Sequence, residues 1–415
     1  MTDLDLTGSL PPFHAIIGVA GTGKSTISRQ LAEERDDTLL CATTGIAAVN
    51  LGSVTLNSLL WFYDTASLQT SYEVGRLNAA LRTITDSGYT RLVIDEVSMM
   101  DGRQLDILCL AFDDINARRM VDGLDPIGIT LVGDFCQLPP IDAPFVFERP
   151  SWARFAEHLT ILTHPWRQTD PEFLAALGHV RRGDGAKALE YFGRRLNTSE
   201  DPWFDGTAIL AKNAEVDRFN NLRMLSLPEP TEIWKATRVG DQSADWKNIP
   251  PELALKEGAL VMILANRRAR IEGMPPHTWP MIYANGDLGY YHGKYDDHTA
   301  CVELKRTGQD VEVPMIVREK TRITGARGVK AKREDVLGTI SYMPLRIAYA
   351  TTCHKSQGLT LDAVQVFYHS HFWRTPGMFY TALSRARTMA GLRLVGTPAQ
   401  FVSRCRADAR VRGFL

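Results

Sequence analysis

The chain has 415 residues, 44% of them hydrophobic and 23% charged, so it is long enough for two to four domains with a sizeable core. Its formal net charge of −1 excludes a strongly basic field over the whole protein, so any surface for nucleic acid must be local. Six scattered cysteines without a C-x-x-C pair argue against a zinc site and against a disulfide framework, and indicate a reducing compartment.

Targeting and membrane segments are not evident in the sequence. No charged stretch precedes an apolar run near the start, as it would in a signal peptide, and no apolar run is long enough to span a bilayer. We therefore expect a cytoplasmic protein of a bacterium or a phage-infected cell, with no membrane partner.

The most informative stretch follows the first predicted strand, at residues 14–17. Residues 18–25 read G-V-A-G-T-G-K-S and match G-x-x-x-x-G-K-[ST] at every defined position, and residues 26–34 favour a helix. The glycines let successive N–H groups point at phosphates, and the helix N-terminus adds partial positive charge. Because the flanks are those a phosphate-binding loop requires, we favour this reading over a chance match. The predicted ATP ligands are Gly21, Thr22, Gly23, Lys24, Ser25 and Thr26, with Lys24 on the β- and γ-phosphates and Ser25 also on Mg²⁺.

A change of character follows the next predicted strand, at residues 38–42, and the segment 43–60. Residues 61–89 carry Trp61, Phe62, Tyr63 and Tyr72 among polar residues and show no strong period. We interpret this segment as a small excursion from the core sheet. Its aromatic side chains could stack on bases or split strands, or they could pack the excursion onto the main domain, and the sequence leaves both open.

Two acidic side chains end the apolar strand predicted at residues 91–96. In a P-loop protein this position serves Mg²⁺ and the attacking water, so we assign Asp95 to the metal and Glu96 to polarising the water. Another core strand, at residues 127–134, runs into Gln137, which we expect to touch the γ-phosphate or its water. The prolines at positions 139 and 140 would also fit a simple turn here.

The second half of the chain begins as α/β again, with predicted strands at 159–162 and 208–210 and helices at 171–182 and 213–225. Arg167 is a candidate phosphate contact. From 258 to 338, short β-rich runs separated by glycines favour a small inserted barrel. The same region holds basic clusters that could contact a nucleic-acid backbone or form a solvated loop. These clusters comprise Arg267, Arg268, Arg270, Arg318, Lys320, Arg322, Arg327, Lys330, Lys332 and Arg333.

The α/β pattern resumes at residues 344–350 and continues to the end of the chain. A helix predicted near residues 379–387 carries Arg385, which is far from Lys24 in sequence. If the two α/β layers face each other, Arg385 can reach across to the phosphates as an arginine finger.

Taken in order, these motifs resemble those of superfamily 1 DNA helicases of the 5′-to-3′ class, the group of RecD-like, Dda-like and PIF-like enzymes. The resemblance runs from the phosphate-binding loop nearly to the C-terminus, and TCHKSQG with YTALSRAR is its most telling pair. The matching segments are GVAGTGKST, ATTGIAA, TLNSLL, VIDEVSMM, VGDFCQLPP, HPWRQ, ATTCHKSQGLTLD and FYTALSRAR.

The resemblance implies an α/β fold of two RecA-like parallel-sheet P-loop domains, with ATP between them and single-stranded DNA across their tops. The first domain would comprise residues 1–60 and 90–150, and the second residues 151–257 and 339–415. Residues 61–89 match the position of the strand-separating pin. Residues 258–338 match a small SH3-like β-barrel inserted in the second domain.

The resemblance also implies roles for individual residues. The catalytic set would be Lys24, Glu96, Gln137, Arg167 and Arg385, with Gln137, Gly358 and Arg385 also binding ATP and Asp95 joining Ser25 at Mg²⁺. The DNA path would be lined by Thr43, Thr44, Asn57, Phe62, His354 and Lys355.

Two positions depart from the family pattern. Asn57 stands where the family usually has histidine, which changes that DNA contact. Residues 1–13 contain no glutamine of the kind that reads the adenine edge, so we expect GTP to be used as well as ATP.

The predicted function is that of an ATP- and Mg²⁺-dependent DNA helicase with a DNA-stimulated ATPase. It would act as a monomer, move 5′ to 3′ on single-stranded DNA and unwind junctions, in replication, repair or recombination. Two alternatives stay open. A P-loop kinase would need an acceptor pocket but not the 354–358 segment. A nucleic-acid-binding module switched by ATP could dispense with the hydrolytic acid, which the Asp95-Glu96 pair argues against.

Overall fold

The structure is a computed structural model that describes residues 10–414 except 198, 244, 245, 247, 248, 273–279 and 325–332. Residues 1–9, on which the expectation about adenine partly rests, therefore lie outside it. The first strands are β1 (Phe13–Gly18), β2 (Thr38–Ala42), β3 (Val54–Thr55), β4 (Arg91–Asp95), β5 (Gly128–Gly133) and β6 (Leu159–Leu162). They form one parallel sheet in the order β3-β2-β4-β5-β1-β6.

The centre of this first sheet is apolar on both faces. Every residue of β1, β4 and β5 is buried, as expected for parallel strands that helices cover on both sides. The carboxyl ends of these three strands lead into the phosphate-binding loop, the Asp95-Glu96 pair and the Gln137 segment. The residues predicted to act together therefore meet at one edge of the sheet, where ligands of open α/β folds bind.

The helices around this sheet are α1 (Lys24–Glu34), α2 (Gly45–Leu51), α3 (Leu56–Leu60), α4 (Thr65–Glu73), α5 (Arg76–Asp86), α6 (Gly102–Val121) and α7 (Ala153–Ala156). The excursion predicted at residues 61–89 consists mainly of α4 and α5, which pack against α6. The buried side chains of Leu68, Leu77 and Leu81 fix them there. The sequence showed no strong period in this segment because the two helices are short and a glycine at position 75 separates them.

One strand lies in a different sheet from the one the sequence suggested. Residues 159–162 were expected in the second domain, but β6 pairs in parallel with β1 at the edge of the first sheet. A four-residue edge strand carries no pattern that identifies its partner, which the packing of the preceding helix decides. The other predicted domain limits stay predictions.

The next elements are α8 (Pro171–Arg182), α9 (Gly185–Phe192), β7 (Leu196–Asn197), β8 (Thr207–Leu210) and α10 (Asn213–Leu225). A long β-rich segment follows, with β9 (Glu232–Lys235), β10 (Thr237–Gly240), β11 (Glu252–Leu255), β12 (Leu260–Ile263), β13 (Arg267–Arg268), β14 (Met281–Tyr283), β15 (Leu288–Lys294), β16 (Thr299–Leu304), β17 (Gln309–Pro314), β18 (Ile316–Thr324), β19 (Arg333–Tyr342) and β20 (Leu345–Ile347).

This β-rich segment contains antiparallel sheets. Five strands pair in the order β17-β16-β15-β12-β20 and three in the order β10-β19-β18, and the remaining four form two pairs. Within the described residues these sheets do not close, so the predicted barrel is not confirmed. Three basic residues singled out in the sequence, Arg327, Lys330 and Lys332, lie outside the described part of the chain.

The chain ends with β21 (Ala350–Thr352), β22 (Val364–Phe367), α11 (Met378–Leu383), β23 (Leu392–Val395) and α12 (Pro398–Arg404). A second parallel sheet forms in the order β21-β8-β22-β23-β7, so its strands come from both sides of the β-rich segment. Among the described residues, no helix combines the length and the apolar character needed to cross a membrane.

Candidate active site

The phosphate-binding loop connects β1 to α1, and its backbone requires glycine at two positions. Gly21 and Gly23 have φ of 83° and 82°, in the left-handed region that other residues rarely adopt. A Cβ atom on Gly21 would also lie 2.8 Å from the Cβ of Arg167 and 2.9 Å from the Oε1 of Gln168. The segment after β6 therefore presses directly on the loop, and a larger side chain at position 21 would separate them.

Lys24 opens α1 and lies folded against its own loop. Its Nζ donates hydrogen bonds to the carbonyl oxygens of Gly18 and Val19, each at 2.9 Å. Burial lowers the pKa of Lys24, and nearby carboxylates, that of Asp134 first, oppose this fall. The cation is thus held where phosphate oxygens can take the place of the two carbonyls.

Asp95 ends β4 with its carboxylate buried near the start of α1. Its Oδ1 accepts a hydrogen bond from the amide of Glu96 at 2.7 Å, and its Oδ2 has no hydrogen-bond partner among the described residues. Burial raises the pKa of Asp95, while the amide of Glu96 and the neighbouring hydroxyl of Ser25 oppose the rise. A carboxylate oxygen without a partner, next to a hydroxyl, fits Mg²⁺, which binds few protein oxygens when phosphates and water complete its shell.

Glu96 has an unusual backbone and an unusual acidity. Its φ of 56° is left-handed although it is not glycine, a conformation that costs on the order of 1–3 kcal/mol and concentrates at functional sites. Burial raises the pKa of Glu96 to about 7, with the charge of Asp95 as the second cause, while Lys24 and Arg385 oppose the rise. A carboxyl group with a pKa near neutrality is suited to accept a proton from water.

A buried amide joins these acids to the second parallel sheet. The Nε2 of Gln357, in the segment that follows β21, donates to the Oε2 of Glu96 at 3.1 Å and lies 3.5 Å from the Oε1 of Gln137. The Nε2 of Gln137 donates to Asp134 at 3.2 Å, and all of these side chains are buried. Gln357 therefore contacts the candidate base and the candidate γ-phosphate sensor together.

The two arginines predicted to complete the site come from different layers. Arg167 follows β6 of the first sheet, and its guanidinium donates to the Oγ1 of Thr360 at 2.8 Å and the carbonyl of Ser384 at 2.9 Å. Burial lowers the pKa of Arg167 to about 9, with Arg385 as the second cause. Arg167 was predicted to come from the second domain, but it follows a strand of the first sheet. Its side-chain contacts are nevertheless with the second layer.

Arg385 follows α11 and is only 1% exposed. Its Nε donates to the carbonyl of Thr381 at 2.8 Å and its Nη2 to the Oγ of Ser384 at 2.8 Å. Burial lowers the pKa of Arg385, and Glu96 is the first of the groups that oppose this fall. The guanidinium is therefore inside the protein and within the electrostatic reach of the candidate base.

Tyr380, on α11, is a further link between the layers. Its hydroxyl accepts a hydrogen bond from the amide of Ala20 in the phosphate-binding loop at 3.0 Å and donates one to the Oδ2 of Asp134 at 3.4 Å. The ring is buried, and burial raises the pKa of Tyr380. The loop, the Asp134 carboxylate and α11 thus share one hydroxyl group.

The residues predicted to line the DNA path surround the ends of β2 and β21. The Oγ1 of Thr43 donates to the carbonyl of Glu96 at 2.7 Å, and the Oγ1 of Thr44 accepts from the amide of Ala47 at 3.2 Å at the start of α2. The Nδ2 of Asn57 donates to the carbonyl of Tyr63 at 3.3 Å. Thr43 therefore connects this region to the backbone of the candidate base.

On the second layer, His354 is exposed and Lys355 is half-buried, in the short helical turn His354–Ser356. They lie three and two residues before Gln357, whose amide reaches Glu96. The segment therefore presents a polar, partly cationic surface on one side and contacts the acids on the other.

Phe62 does not lie where the sequence suggested. The ring is 3% exposed and packs in the main hydrophobic core, so it cannot stack on a base in this structure. Trp61 ends α3 with a left-handed backbone, which turns Phe62 inward and leaves Trp61 and Tyr63 57% and 90% exposed. Trp61 and Tyr63 therefore replace Phe62 as the rings that could stack on a base.

Comparison with known proteins agrees with this arrangement. Residues 5–198 match the family model described as an AAA domain, and residues 347–392 match the UvrD-like helicase C-terminal domain. The ATP-dependent DNA helicase Pif1 of Bdellovibrio bacteriovorus is 29% identical over 400 residues, which are 92% of this chain and 83% of the relative. The crystal structure of Bacteroides sp Pif1 in complex with ADP-AlF4 is 26% identical with a TM-score of 0.74, covering 97% of this chain and 92% of that one.

In sequence and in fold the chain is thus similar to Pif1 helicases of superfamily 1. It spans 57% of the length of its relatives in Emericella nidulans and Danio rerio. The structure of Bacteroides Pif1 bound to ssDNA is 25% identical with a TM-score of 0.56, covering 94% of this chain and 90% of that one.

Two residues of the candidate active site, Gln357 and Tyr380, were not predicted from the sequence. Both lie inside motifs that were singled out for neighbouring residues, His354, Lys355 and Arg385. The available signal was an uncharged polar side chain within an otherwise apolar or cationic motif. Position in a motif does not reveal which side chain faces the acids, because that depends on how the second layer docks.

Gly358, predicted to contact ATP, borders a cavity of about 140 Å³ beside the acids of the cleft. Ser25, Asp95 and Glu96 form one side of this cavity, and Asn285 of the β-rich segment lies on the other. The Nδ2 of Asn285 donates to the Oδ1 of Asn50 at 3.0 Å, which ties the β-rich segment to α2. The candidate active site is thus bordered by residues of both parallel sheets and of the β-rich segment that lies between them in sequence.

Proposed function

We propose that the chain is an ATP-dependent DNA helicase that translocates 5′ to 3′ on single-stranded DNA and separates duplex strands. The observation that carries the proposal is the buried meeting of the two layers at Glu96, where the amide of Gln357 donates to the carboxylate and Arg385 lies close by. A site assembled from two layers can be opened and closed by its nucleotide, which a motor requires. The relatives named above are ATP-dependent DNA helicases.

The roles of the first layer follow from its geometry. Backbone N–H groups of the loop and the Nζ of Lys24 would bind the phosphates, in exchange for the two carbonyls that Lys24 now contacts. Ser25 and Asp95 would hold Mg²⁺, which supplies charge neutralisation at the β- and γ-phosphates. Glu96, with its raised pKa, would accept the proton of the attacking water.

The second layer, together with Arg167 from the segment that follows β6, would complete the site in the transition state. Arg385 and Arg167 would neutralise the charge that develops on the transferred phosphoryl group, and Gln137 would sense its oxygens. Both guanidinium groups now donate to protein oxygens, so approach to the phosphates exchanges partners and does not strip a bare charge of its hydrogen bonds. Hydrolysis then weakens the attraction between the layers.

Coupling to DNA would run through two short segments. Thr43 donates to the backbone of Glu96, and His354 and Lys355 lie three and two residues before Gln357. A strand held by these residues would therefore move whenever the layers approach or separate around the nucleotide. The Bacteroides relative was crystallised bound to ssDNA.

The remaining parts would handle the junction. We assign strand separation to the exposed rings of Trp61 and Tyr63 at the start of the 61–89 segment, which would act as the pin. The Nη2 of Arg318 donates to the carbonyl of Ser53 at 3.3 Å, and the Nζ of Lys320 lies 5.6 Å from the Trp61 ring, so β18 borders this pin. The β-rich segment, as the barrel-like insertion of the second domain, would guide DNA there. Because one chain supplies both layers, the active unit would be a monomer.

Two measurements test the proposal. ATPase activity with Mg²⁺ should rise strongly when single-stranded DNA is added, and a duplex with a 5′ single-stranded tail should be unwound while the same duplex with a 3′ tail is not. An ATPase that ignores DNA would favour a P-loop kinase or another ATP-dependent enzyme. DNA binding that responds to ATP without unwinding would favour a switch. Unwinding from the 3′ tail alone would overturn the assigned direction.

A further inference from the structure

A cluster of potential metal ligands lies on the outer face of the β-rich segment, away from the acids of the cleft. Strands β15, β16 and β17 are neighbours in one antiparallel sheet. Their inward side chains, among them Tyr291 and Val302, are buried in a hydrophobic core. Because side chains alternate along a strand, Cys301 on β16 and Asp310 on β17 point to the opposite face, where His292 of β15 joins them.

The sequence of β15 explains why His292 reaches this face. The pairing of β15 with β16 shifts register between Tyr291 and Lys294, so a bulge interrupts the strand there. Gly293 within the bulge has a φ of 103°, which glycine tolerates and other residues rarely adopt. Tyr291 pairs with Val302 on the buried face, so alternation turns the next residue, His292, to the outer face, and the bulge follows this pair.

The distances suit a small cation. One ring nitrogen of His292, the Sγ of Cys301 and a carboxylate oxygen of Asp310 all lie within 4.8 Å of one another, and the Nδ1 of His292 is 3.1 Å from the Oδ1 of Asp310. Tetrahedral zinc with bonds of about 2.0–2.3 Å places its ligand atoms roughly 3.3–3.8 Å apart. Small side-chain rotations are therefore enough to seat the ion.

The second nitrogen of the same imidazole has the partner that a ligating histidine usually has. The Nε2 of His292 lies 3.4 Å from the Oε2 of Glu303, on β16. Histidines bound to a metal almost always donate their other N–H to a carboxylate or a carbonyl, which fixes the ring and its tautomer. With Nδ1 toward Asp310 and Cys301 and Nε2 toward Glu303, the ring is oriented by both sides.

We propose that His292, Cys301 and Asp310 form a site for a thiophilic divalent cation such as Zn²⁺, with Glu303 positioning the imidazole. Mixed nitrogen, sulfur and oxygen ligands select zinc over Mg²⁺ or Ca²⁺, which prefer oxygen alone. The ion would join three strands by one bond each, so its effect would be on the stability of the β-rich segment. The expectation against a zinc site rested on the lack of paired cysteines, whereas these ligands come from three strands.

Charge balance favours the same assignment. A thiolate at Cys301 and the carboxylate of Asp310 would together neutralise the charge of a dication. The competing interpretation is a plain cluster of exposed ion pairs between His292 and the acids, which contributes little to stability.

Cobalt(II) titration of the full chain, with any histidine tag removed, separates the two interpretations. We expect one Co²⁺ per chain, a thiolate-to-cobalt charge-transfer absorption, and displacement of the Co²⁺ by Zn²⁺. Cys301→Ser should abolish that absorption and His292→Ala should weaken binding by at least about tenfold. Glu303→Gln should weaken it by about 10–100-fold at unchanged stoichiometry, because only the orientation of the ring is affected.

The controls decide between this site and adventitious binding. His298→Ala, a nearby exposed histidine outside the cluster, should bind Co²⁺ like the parent chain. The other cysteines in the chain, Cys41, Cys109, Cys136, Cys353 and Cys405, are buried, so a charge-transfer band that survives Cys301→Ser would refute the proposal. Absence of the band in the parent chain would establish the ion-pair interpretation. Neither readout involves ATP or DNA, so failure here leaves the helicase proposal untouched.

Discussion

The two parallel sheets contribute unequally to the cleft. The first sheet supplies the phosphate-binding loop, Lys24, Asp95 and Glu96 from adjoining strand ends, and so carries the groups proposed to bind the phosphates and Mg²⁺. The second supplies side chains that reach over these groups, chiefly Gln357 and Arg385. The difference indicates that binding belongs to one sheet and turnover to the contact between both. Substitutions on either side should therefore have different kinetic signatures.

The largest effect is expected on the binding side, from Lys24→Ala. Loss of the Lys24 ammonium, which donates to the carbonyls of Gly18 and Val19, removes the charge that would hold the β- and γ-phosphates. We expect ATPase activity at background level and weak nucleotide binding, measured with a fluorescent nucleotide. Thermal melting should show an intact fold, and Lys187→Ala on the exposed face of α9 should leave both activities unchanged. Full binding in Lys24→Ala would assign the phosphates to another group.

Arg385→Ala tests the turnover side. An arginine finger contributes roughly a thousandfold or more to kcat, so hydrolysis should fall by that factor while nucleotide affinity changes little. The matched control is Arg387→Ala, because Arg387 is exposed and pairs with Asp362 at 2.8 Å. Arg385→Lys, which keeps a charge in the buried site, checks that loss of rate is not loss of fold. Equal rates in Arg385→Ala and Arg387→Ala would remove Arg385 from the reaction.

Gln357→Ala should have an intermediate effect. Removing the amide takes away one donor to the carboxylate of Glu96, and a hydrogen bond of about 1.4 kcal/mol in the transition state corresponds to about tenfold in kcat. Stimulation of the ATPase by DNA should fall further than the basal rate, because Gln357 lies in the same short segment as His354 and Lys355. Gln400→Ala, at the cap of α12, is the control. Unchanged stimulation would show that DNA signals reach Glu96 by another route.

The smallest kinetic effect is expected from Tyr380→Phe, which acts on stability. The substitution leaves the buried amide of Ala20 without its acceptor, at about 1–3 kcal/mol, so the free energy of unfolding measured in urea should fall by that amount. Tyr63→Phe removes a hydroxyl from an exposed ring and should leave the free energy of unfolding unchanged. Equal stabilities for these two variants would mean that the contact between α11 and the loop contributes little.

Much of the first sheet was predictable because its chemistry is local. The phosphate-binding loop, the acids after β4 and the Gln137 segment are each short motifs that follow an apolar strand, and parallel strands bring their carboxyl ends together. Strand β2 has the predicted bounds, Thr38–Ala42. The order of motifs indicated the resemblance to helicases and predicted that Arg385, from the far end of the chain, lies near the acids. The structure places Arg385 within the electrostatic reach of Glu96, and its role as an arginine finger stays a prediction.

What the sequence could not predict depends on contacts between distant segments. Gln357 and Glu96 are joined by a hydrogen bond that docking of the second layer creates. Edge strand β6 pairs with β1, and nothing in four residues encodes that choice. Phe62 looked available because aromatic residues in a polar segment are often exposed, yet the left-handed turn at Trp61 buries it. A strand pattern likewise cannot show whether antiparallel strands close into a barrel.

The left-handed backbone of Glu96 has an evolutionary consequence. Glycine or asparagine would accept that φ of 56° more easily, so selection for heat resistance alone would replace the acid. A thermostable laboratory variant that carries either residue at position 96 would have exchanged turnover for robustness. Under the proposed function, glutamate at position 96 keeps the base that turnover needs, at the expense of a more durable fold.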